Sequence, residues 1–275
     1  MRFTTEGEMC STRSQPDFTA LEGALGEAAA SFSVEYLARC TSTNALLLRY
    51  AAEGARTGLT LWAEEQTAGR GRRGRRWHSA PGHSLTFSVL WQFGKQVPVS
   101  GLSLAVGLAV AEALQELGCE GVGLKWPNDI WLLGHKLGGV LTELVFEKDG
   151  FQAVIGIGLN VRRHPAWEAD IEQTFETLDA VAFVPSREVL LGTILKHLGD
   201  SLGVFERGGF EPLCRRWNQL NALYGLPVRV LAERSELTGV CGKALPCGAL
   251  ELMQDDGARV EVSSGDVSLR IDTNL

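Results

Sequence analysis

The sequence predicts an α+β fold with a mixed, mainly antiparallel sheet, packed helices and a small β-rich unit near the C-terminal end. Two patterns carry this prediction. Between residues 121 and 159, four short apolar runs follow one another across turn signals, as neighbouring antiparallel strands do. Between residues 226 and 271, five short runs are broken by Gly, Asp and Ser, which is typical of a small closed barrel.

The first part of the chain is predicted to alternate strands and helices after an N-terminal arm. Residues 1–33 are rich in Ala, Gly, Ser, Thr and Glu, which predicts a loose, partly disordered arm with room for one short helix at residues 21–30. Hydroxyl side chains at residues 41–43 can cap a helix that Gly54 ends. Apolar side chains alternate through residues 85–93, the period of a half-buried strand. The predicted elements are a strand at residues 34–37, a helix at 41–53, strands at 58–65 and 85–93, and a helix at 102–117.

The rest of the chain is predicted to complete the sheet, add helices and end in the small barrel. Turn signals at residues 127–129, 134 and 149–150 separate the strands of the sheet. These strands are predicted at residues 121–126, 130–133, 136–146 and 152–159, the helices at 167–182, 187–205 and 210–220, and the barrel strands at 226–231, 239–243, 248–253, 258–262 and 267–271. The chain is thereby divided into the arm at residues 1–33, a main domain at 34–222 and a barrel at 223–275.

Composition excludes several classes of protein. The chain has 275 residues, of which 45% are hydrophobic, enough to bury a large core. Its formal net charge of −7 argues against a general nucleic-acid binder, which usually carries a basic surplus. The six cysteines form no Cys-x-x-Cys pair and the five histidines no His-Glu-x-x-His motif, so neither a metal site nor a disulfide framework is indicated. Because no secretory leader and no membrane-length apolar run is evident, we expect a soluble, cytoplasmic protein.

The most distinctive segment is a glycine-rich loop at residues 69–77 that carries five arginines and ends at Trp77. Backbone N–H groups beside glycine and the forks of arginine bind phosphate oxygens, and an indole can stack on a flat base. No Asp or Glu occurs between Gln66 and Ala111, although the whole chain is acidic. We therefore expect a small polyanionic ligand at this loop.

Two other interpretations of the loop are less consistent with its context. It matches the Gly-x-Gly-x-x-Gly pattern of dinucleotide-binding proteins, but that site needs a helix beginning inside the motif and an acidic residue about twenty positions later. Here a strand follows, and the acidic residue is missing. Arginine-rich RNA-binding tails lie in disordered flanks, whereas this loop lies between two predicted strands.

Three further motifs can contribute to a site, and each also has an ordinary structural reading. Lys125-Trp126-Pro127-Asn128-Asp129 can be a tight turn, yet the following Lys136-Leu137-Gly138-Gly139 offers a lysine charge where a ligand can approach the backbone. Gly156-x-Gly158-x-Asn160 can simply end a strand. Thr41-Ser42-Thr43-Asn44 can be a helix cap, but hydroxyls and N–H groups at a helix N-terminus also bind neutral polar groups or anions.

In order and spacing these motifs resemble the catalytic domain of the biotin-protein ligases. The resemblance runs from about residue 34 to residue 220, and residues 264–270 are similar to the end of that family's C-terminal SH3-like domain. It implies a class II synthetase-like biotin/lipoate ligase catalytic domain followed by an SH3-like barrel. It also implies a two-step reaction, in which biotin and ATP give biotinyl-5′-AMP and pyrophosphate, and a lysine of a biotin carboxyl carrier protein then attacks the mixed anhydride to form an amide.

The resemblance implies roles for individual residues. Three are catalytic candidates: Lys136 to neutralise the acyl-phosphate oxygens, Arg70 to hold the carboxylate and phosphates, and Asp129 to orient or deprotonate the incoming lysine. The residues implied to bind biotin are Ser42, Thr43, Asn44, Gln66, Gly69, Arg70, Arg72, Lys136 and Gly139. Those implied to bind ATP or the adenylate are Arg70, Arg72, Arg73, Trp77, Lys125, Asn128, Lys136 and Asn160. A Mg²⁺ ion is implied as the companion of ATP, not by a visible carboxylate cage.

The chain departs from the repressor members of the family, because no DNA-binding domain is recognisable before residue 34. We therefore expect the form that lacks this domain, with neither DNA nor a membrane as a partner, and leave a homodimer and the identity of the carrier open. The nearest alternative is a lipoate- or octanoate-protein ligase or transferase, which would need a long apolar slot and lack the arginine-rich loop. A remote alternative is a nucleic-acid-binding regulator, against which the net acidity and the absence of a helix-turn-helix pattern weigh.

Overall fold

A seven-stranded sheet forms the centre of the larger part of the molecule. The computed structural model describes residues 15–170, 174–181, 184–232, 235–265 and 267–272. The strands follow the order β1-β2-β3-β7-β6-β5-β4, in which only the β1–β2 pair is parallel. The prediction of a mainly antiparallel sheet is therefore confirmed. The strands are β1 (Ser33–Leu37), β2 (Leu59–Ala63), β3 (Ser84–Gly94), β4 (Val122–Lys125), β5 (Asp129–Leu132), β6 (His135–Glu147) and β7 (Gly150–Asn160).

The pairing register between β3 and β7 places small polar residues and glycines next to each other on the sheet. These two long strands pair from Ser84 opposite Asn160 to Gly94 opposite Gly150. Apolar side chains of both strands are buried in the core, because both faces of this part of the sheet are covered. The same register sets small polar residues of β3 against glycines of β7, with Thr86 opposite Gly158 and Ser88 opposite Gly156. A shallow polar strip is thus built into an otherwise apolar sheet.

Helices cover both faces of the sheet. The helices are α1 (Phe18–Leu25), α2 (Thr43–Ala52), α3 (Leu102–Glu116), α4 (Pro165–Asp170), α5 (Arg187–Gly208) and α6 (Glu211–Gln219). α3 and α5 pack on the face that carries the main core, whereas Leu47 of α2 packs with Leu61, Leu90 and Val154 on the opposite face. α2 begins where predicted, because the Ser42 hydroxyl accepts a hydrogen bond from the Ala45 N–H at 3.4 Å. In the part of the chain that is described, no helix combines the length and apolar character that a membrane span requires.

The prediction of a loose N-terminal arm is wrong for residues 17–33. The helix expected at 21–30 is present, but it begins at Phe18 and continues as a short 3-10 helix over Gly26–Ser31. Leu21 and Leu25 are buried against α5, where Gly192 lets the two helix backbones come close. The small residues of this segment predicted a flexible arm, but small residues also allow two helices to pack closely, as they do here. Residues 1–14 lie outside the described part.

The prediction of a helix over residues 167–182 is also wrong in part. Helix α4 ends at Asp170, and a short 3-10 helix covers Leu178–Ala180. Between them the backbone at Phe175 bridges to Lys136, and the Glu176 N–H donates to the Lys136 carbonyl at 2.8 Å. Residues 171–173 and 182–183 are not among those described. This pairing with the start of β6, a contact distant in sequence, overrides the local helical pattern.

The C-terminal unit is a five-stranded antiparallel sheet of order β11-β10-β9-β8-β12 that buries one apolar face. Its strands are β8 (Pro227–Leu231), β9 (Glu236–Ala244), β10 (Leu250–Met253), β11 (Arg259–Val262) and β12 (Ser268–Ile271). The five predicted strands are confirmed, but over the described residues no ladder joins β11 to β12, so the sheet is barrel-like without hydrogen-bonded closure. The unit docks onto the main sheet, where the buried Trp126 indole donates to the Gly248 carbonyl at 3.1 Å.

Candidate active site

A cleft of about 940 Å³ lies where the start of α2, the arginine loop, the β4–β5 turn and strand β12 meet above β6 and β7. The structure brings nearly all of the predicted site residues together in this cleft. The predicted residues that line it are Ser42, Thr43, Asn44, Gln66, Arg70, Arg72, Arg73, Trp77, Lys125, Asn128, Asp129, Lys136, Gly139 and Asn160.

Gly69 is the exception, because it does not line the cleft. A Cβ at Gly69 would overlap the Trp77 carbonyl oxygen and crowd the Gln66 side chain. The Trp77 N–H donates to the Gly69 carbonyl at 2.9 Å, which ties the two ends of the loop together. The structure thus gives Gly69 a role in the loop backbone, and its contact with biotin stays a prediction.

One end of the cleft is a buried pocket of neutral polar groups. The Thr43 N–H donates to Gln66 Oε1 at 2.7 Å, and the Thr43 hydroxyl lies 2.6 Å from the Ser88 hydroxyl. Ser88 in turn donates to Asn44 Oδ1 at 2.6 Å. All four side chains are more than nine-tenths buried, so a ligand here must offer matching donors and acceptors. Ser88 was missed by the sequence analysis, although a serine in the apolar strand β3 was a usable signal.

Two glycines of β7 make room for the side chains above them. A Cβ at Gly156 would overlap the Asn44 amide oxygen, and a Cβ at Gly158 would overlap the Trp77 indole. The Trp77 indole therefore packs directly on the backbone at Gly158, and its N–H donates to Thr86 Oγ1 at 3.2 Å. The close packing expected of the Gly-x-Gly motif thus serves to seat site residues.

The arginine loop folds back on itself as a small hairpin over the cleft. Arg70 and Arg76 form an isolated antiparallel bridge, and the Gly71 N–H donates to the Arg75 carbonyl at 2.8 Å. The turn places Arg73 in the left-handed region at φ 59°, next to Gly74. Because the backbone is hydrogen-bonded, the five guanidinium groups are presented from a defined loop and not from a flexible tail.

Arg72 joins this loop to both parts of the molecule. Its Nη1 donates to Asn128 Oδ1 at 2.9 Å, on the β4–β5 turn. Its Nη2 donates to the carbonyl oxygens of Gly265 at 2.6 Å and Ser264 at 3.3 Å, in the C-terminal unit. The loop is thus held over the cleft from two sides.

Glu143 of β6 is a second residue that the sequence analysis missed. Both of its carboxylate oxygens lie 3.1 Å from Arg70 Nη2. Asn44 Nδ2 also donates to Glu143 Oε2, at 2.8 Å. One carboxylate therefore contacts a residue of the neutral pocket and a residue of the cationic loop.

A cluster of two lysines and one carboxylate lies at the other side of the cleft, with Lys125 buried and Asp129 and Lys136 half-buried. Lys136 Nζ is 2.6 Å from Asp129 Oδ1, and Lys125 Nζ is 3.7 Å from Asp129 Oδ2. Burial would raise the pKa of Asp129, but the charges of Lys136 and Lys125 outweigh it and hold the pKa below its usual value. Burial lowers the pKa of Lys125 to about 8, although Asp129 opposes the shift. The Asp129 carboxylate therefore lies between two ammonium groups, an arrangement suited to orienting lysines, which is one of its two predicted roles.

The C-terminal unit contributes a wall of the cleft. Residues 267–270 of this unit line it, and the positive charge of Arg270 is near enough to Lys125 to lower its pKa further. Asn160 is a buried residue of the lining, and its Nδ2 donates to the Glu176 carbonyl at 3.1 Å. The cleft therefore joins a neutral polar pocket to a strongly cationic mouth, an arrangement that suits a ligand with a polar ring at one end and phosphate at the other.

Comparison with known proteins agrees with this reading of the cleft. Residues 36–160 match the model of the biotin/lipoate A/B protein ligase family. The chain is 37% identical to the bifunctional ligase/repressor BirA of Salmonella typhimurium, over 87% of this chain and 75% of that protein. It is also 37% identical to the biotin--[acetyl-CoA-carboxylase] ligase of Mycobacterium tuberculosis, over 85% of this chain and 88% of that protein.

Solved structures give the same result. The biotin protein ligase of Aquifex aeolicus in complex with biotin and ATP superposes with a TM-score of 0.76 at 31% identity, over 87% of this chain and 99% of that one. About an eighth of the chain is unmatched, fewer residues than the C-terminal unit contains, so the likeness includes at least part of that unit. The chain belongs to the biotin protein ligases of the biotin/lipoate A/B protein ligase family.

Proposed function

We propose that the protein activates biotin with ATP as biotinyl-5′-AMP and transfers the biotinyl group to one lysine of a biotin carboxyl carrier protein. The observation that carries this proposal is the junction of a buried neutral pocket, the arginine loop and Lys136 in a single cleft. The names of the relatives support biotin, and not lipoate, as the carboxylic acid that is activated. They also support a subunit of acetyl-CoA carboxylase as the carrier.

The neutral pocket is proposed to bind the ureido ring of biotin through Ser42, Thr43, Asn44 and Gln66. A ureido group offers one carbonyl acceptor and two N–H donors, which buried hydroxyl and amide groups can match. The dithiolane ring of lipoate offers no such groups, so it would leave these buried groups without partners. The pocket thereby gives selectivity against lipoate and octanoate.

The cationic mouth is proposed to carry out the first step. A carboxylate oxygen of biotin forms a bond to the α-phosphorus of ATP, and the bond to pyrophosphate breaks. Negative charge then lies on the phosphoryl oxygens, where Lys136, Arg70 and Arg72 are suitably placed to neutralise it. The residues proposed to hold the nucleotide are Arg73, Trp77, Lys125, Asn128 and Asn160, with Gly139 leaving room beside Lys136.

In the second step the carrier amine attacks the acyl carbon, the amide bond forms and AMP leaves. Asp129 is proposed to fix Lys136 and Lys125 and to orient the incoming amine, because its carboxylate already binds two ammonium groups. A second cavity of about 360 Å³ borders the cleft and is a proposed entry path for the acceptor lysine. Arg72, Pro127 and Leu141 line both cavities, so a side chain that enters the second is already next to the reacting groups.

Magnesium is proposed to enter with ATP as part of that substrate. Within the described residues no group of three His, Cys, Asp or Glu side chains is placed to hold a metal ion. Asp129 in the cleft is bound to lysines, so the phosphates and water would supply most ligands of the ion. We propose that the protein works in the cytoplasm, which is consistent with its free thiols at Cys40, Cys119, Cys214, Cys241 and Cys247.

A homodimer is proposed to form along β6. This strand pairs with β5 only at residues 135–139, whereas it pairs with β7 as far as Glu147. Among the described residues, its edge beyond Val140 therefore has no strand partner on the β5 side, and a second copy can add there. Sedimentation velocity at rising protein concentration, with and without biotin and ATP, tests this; a monomer under every condition would exclude it.

Release of pyrophosphate tests the proposed function. We expect release that requires biotin and ATP together and that falls to background with lipoate or octanoate in place of biotin. A carboxyl carrier protein added afterwards should gain one biotinyl group on one lysine, as seen by mass spectrometry. Equal rates with lipoate would support the acyl-transfer alternative, and salt-sensitive DNA or RNA binding without pyrophosphate release would support a nucleic-acid regulator.

The buried Lys125 predicts a pH dependence. As pH rises through about 8, the free enzyme loses the Lys125 proton, and with it one positive charge that faces the triphosphate. We therefore expect kcat/KM for ATP to fall about tenfold between roughly pH 7 and 9.5, because this parameter follows the free enzyme. Lys125→Met should lower kcat/KM at neutral pH and remove this fall, whereas Lys148→Met, at an exposed turn, should keep it. An unchanged profile in Lys125→Met would contradict the assignment.

Loss of the Lys125 proton, which is expected to lower activity, is expected to raise the free energy of unfolding. The pKa of Lys125 in the folded protein, about 8, is below its ordinary value of 10.5, so the unfolded chain binds the proton more tightly. Between these values the free energy of unfolding rises with pH, because the folded protein no longer keeps a buried charge. Thermal denaturation from pH 7 to 10 measures this rise, and it should be absent in Lys125→Met.

A further inference from the structure

A chain of hydrogen bonds runs from the neutral pocket to the arginine loop and ends at Glu143. Ser88 donates its hydroxyl hydrogen to Asn44 Oδ1 at 2.6 Å, and its oxygen lies 2.6 Å from the Thr43 hydroxyl, which also lies 3.1 Å from Gln66 Oε1. Asn44 Nδ2 then donates to Glu143 at 2.8 Å. Arg70 donates to the same carboxylate from the other side. The Glu143 carboxylate therefore accepts hydrogen bonds from Asn44 on one side and from Arg70 on the other.

Glu143 is not among the residues that line the cleft, although both of its partners, Asn44 and Arg70, are. It sits on β6, whose backbone is fixed by pairing with β7 opposite Val154. A rigid strand therefore presents an acceptor to one residue of the proposed ring site and one residue of the proposed phosphate loop.

We propose that Glu143 is a positioning residue that couples binding in the neutral pocket to closure of the arginine loop. The inference rests on the proposed function, since the pocket is taken to hold the biotin ring and the loop to cover the acyl phosphate. With Nδ2 of Asn44 committed to Glu143, the amide oxygen is turned toward Ser88 and the ring site, ready to accept from a ligand N–H. The same carboxylate offsets the charge of Arg70 in a loop whose five arginines repel one another.

The Glu143 side chain must accept hydrogen bonds from both Asn44 and Arg70, so a group that only accepts suits this position best. Glutamine has the same size as glutamate, but its NH₂ group would face either Asn44 Nδ2 or Arg70 Nη2, donor against donor. Oε2 contacts both neighbours and Oε1 contacts Arg70 alone, so the glutamine oxygen can keep the Asn44 contact while its NH₂ group opposes Arg70, and no cavity is left. The matched control is Glu147→Gln, an exposed position at the end of the same strand.

The test measures adenylate formation and its retention separately. For Glu143→Gln we expect labelling of bystander lysines by released adenylate to increase several-fold, whereas KM for biotin and kcat for pyrophosphate release should each change less than about threefold, because the glutamine oxygen can stay on Asn44. The melting temperature should stay close to that of the wild type. Glu147→Gln should match the wild type in all four measurements.

Combination with Arg70→Ala shows whether Glu143 acts through the loop. In that background Glu143→Gln should add no further release of adenylate and leave KM for biotin unchanged, whereas Glu143→Leu, which offers Asn44 no acceptor, should raise KM for biotin about tenfold. The inference is overturned if Glu143→Gln behaves like Glu147→Gln, or if its effect on release is the same with and without Arg70. Failure of the proposed function itself would be seen differently, as a wild-type protein that makes no biotin-dependent pyrophosphate.

Discussion

Lys136→Ala should lose most adenylation while folding normally. The ammonium group lies 2.6 Å from Asp129 and points into the cleft beside Gly139, so its proposed role is to meet charge that develops on the phosphoryl oxygens. Removal of one such preorganised group lowers kcat on the order of 10²- to 10³-fold. Folding should survive because the side chain is partly exposed and Asp129 keeps Lys125 as a partner.

Two measurements separate charge stabilisation from a general defect. Single-turnover formation of biotinyl-5′-AMP should show the loss, whereas circular dichroism melting should be close to that of the wild type. When synthetic biotinyl-5′-AMP is supplied, transfer to the carrier should be impaired far less than adenylation. Lys148→Ala, in the exposed β6–β7 turn, is the matched control. A normal rate of adenylation in Lys136→Ala would refute the assignment.

Arg70→Gly should still make the adenylate but fail to retain it. The substitution removes the contacts with Glu143 and adds backbone freedom at a residue whose bridge to Arg76 shapes the loop. Adenylation should fall less than about tenfold, because Lys136 and Arg72 remain to neutralise the phosphate. Retention should suffer much more, since a loosely held loop exposes the mixed anhydride to water and to foreign amines.

The measurement is biotin labelling of an unrelated lysine-rich protein added to the reaction. We expect at least about a tenfold increase over the wild type, a readily detected change that corresponds to about 1.4 kcal/mol of lost retention. Arg70→Ala separates loss of the guanidinium from the added flexibility of glycine, and Arg56→Gly, in an exposed loop, serves as a control. Absence of free adenylate in Arg70→Gly would rule out its role in sealing the site.

Residue patterns were sufficient to predict most of the fold because they are local. The twelve strands follow apolar runs bounded by turn residues, and the structure has a strand at each of those runs. The two errors, at residues 17–33 and 167–182, arise where a segment is stabilised by distant partners. Leu21 packs on α5, more than 150 residues later, and Phe175 joins the start of β6. Neither contact leaves a signature within the segment itself.

The site residues were also predictable where they stand in local motifs and not where they depend on contacts distant in sequence. The cleft residues that stand in recognisable motifs were predicted, because the motifs mark special turns, glycines and charges. Glu143 was missed because a glutamate in a strand looks like any solvent-facing position, and its partner Arg70 is 73 residues away. The contribution of residues 267–270 was missed because it depends on how the C-terminal unit docks.

The bonds from Arg72 to Ser264 and Gly265 have a consequence for divergence of the sequence. The acceptors are main-chain oxygens, which every amino acid supplies, so substitution of either residue leaves this contact intact. An insertion or deletion in the turn would instead carry the oxygens out of reach. Homologous ligases should therefore vary freely in residue type at these two positions, while the length of the turn stays constant.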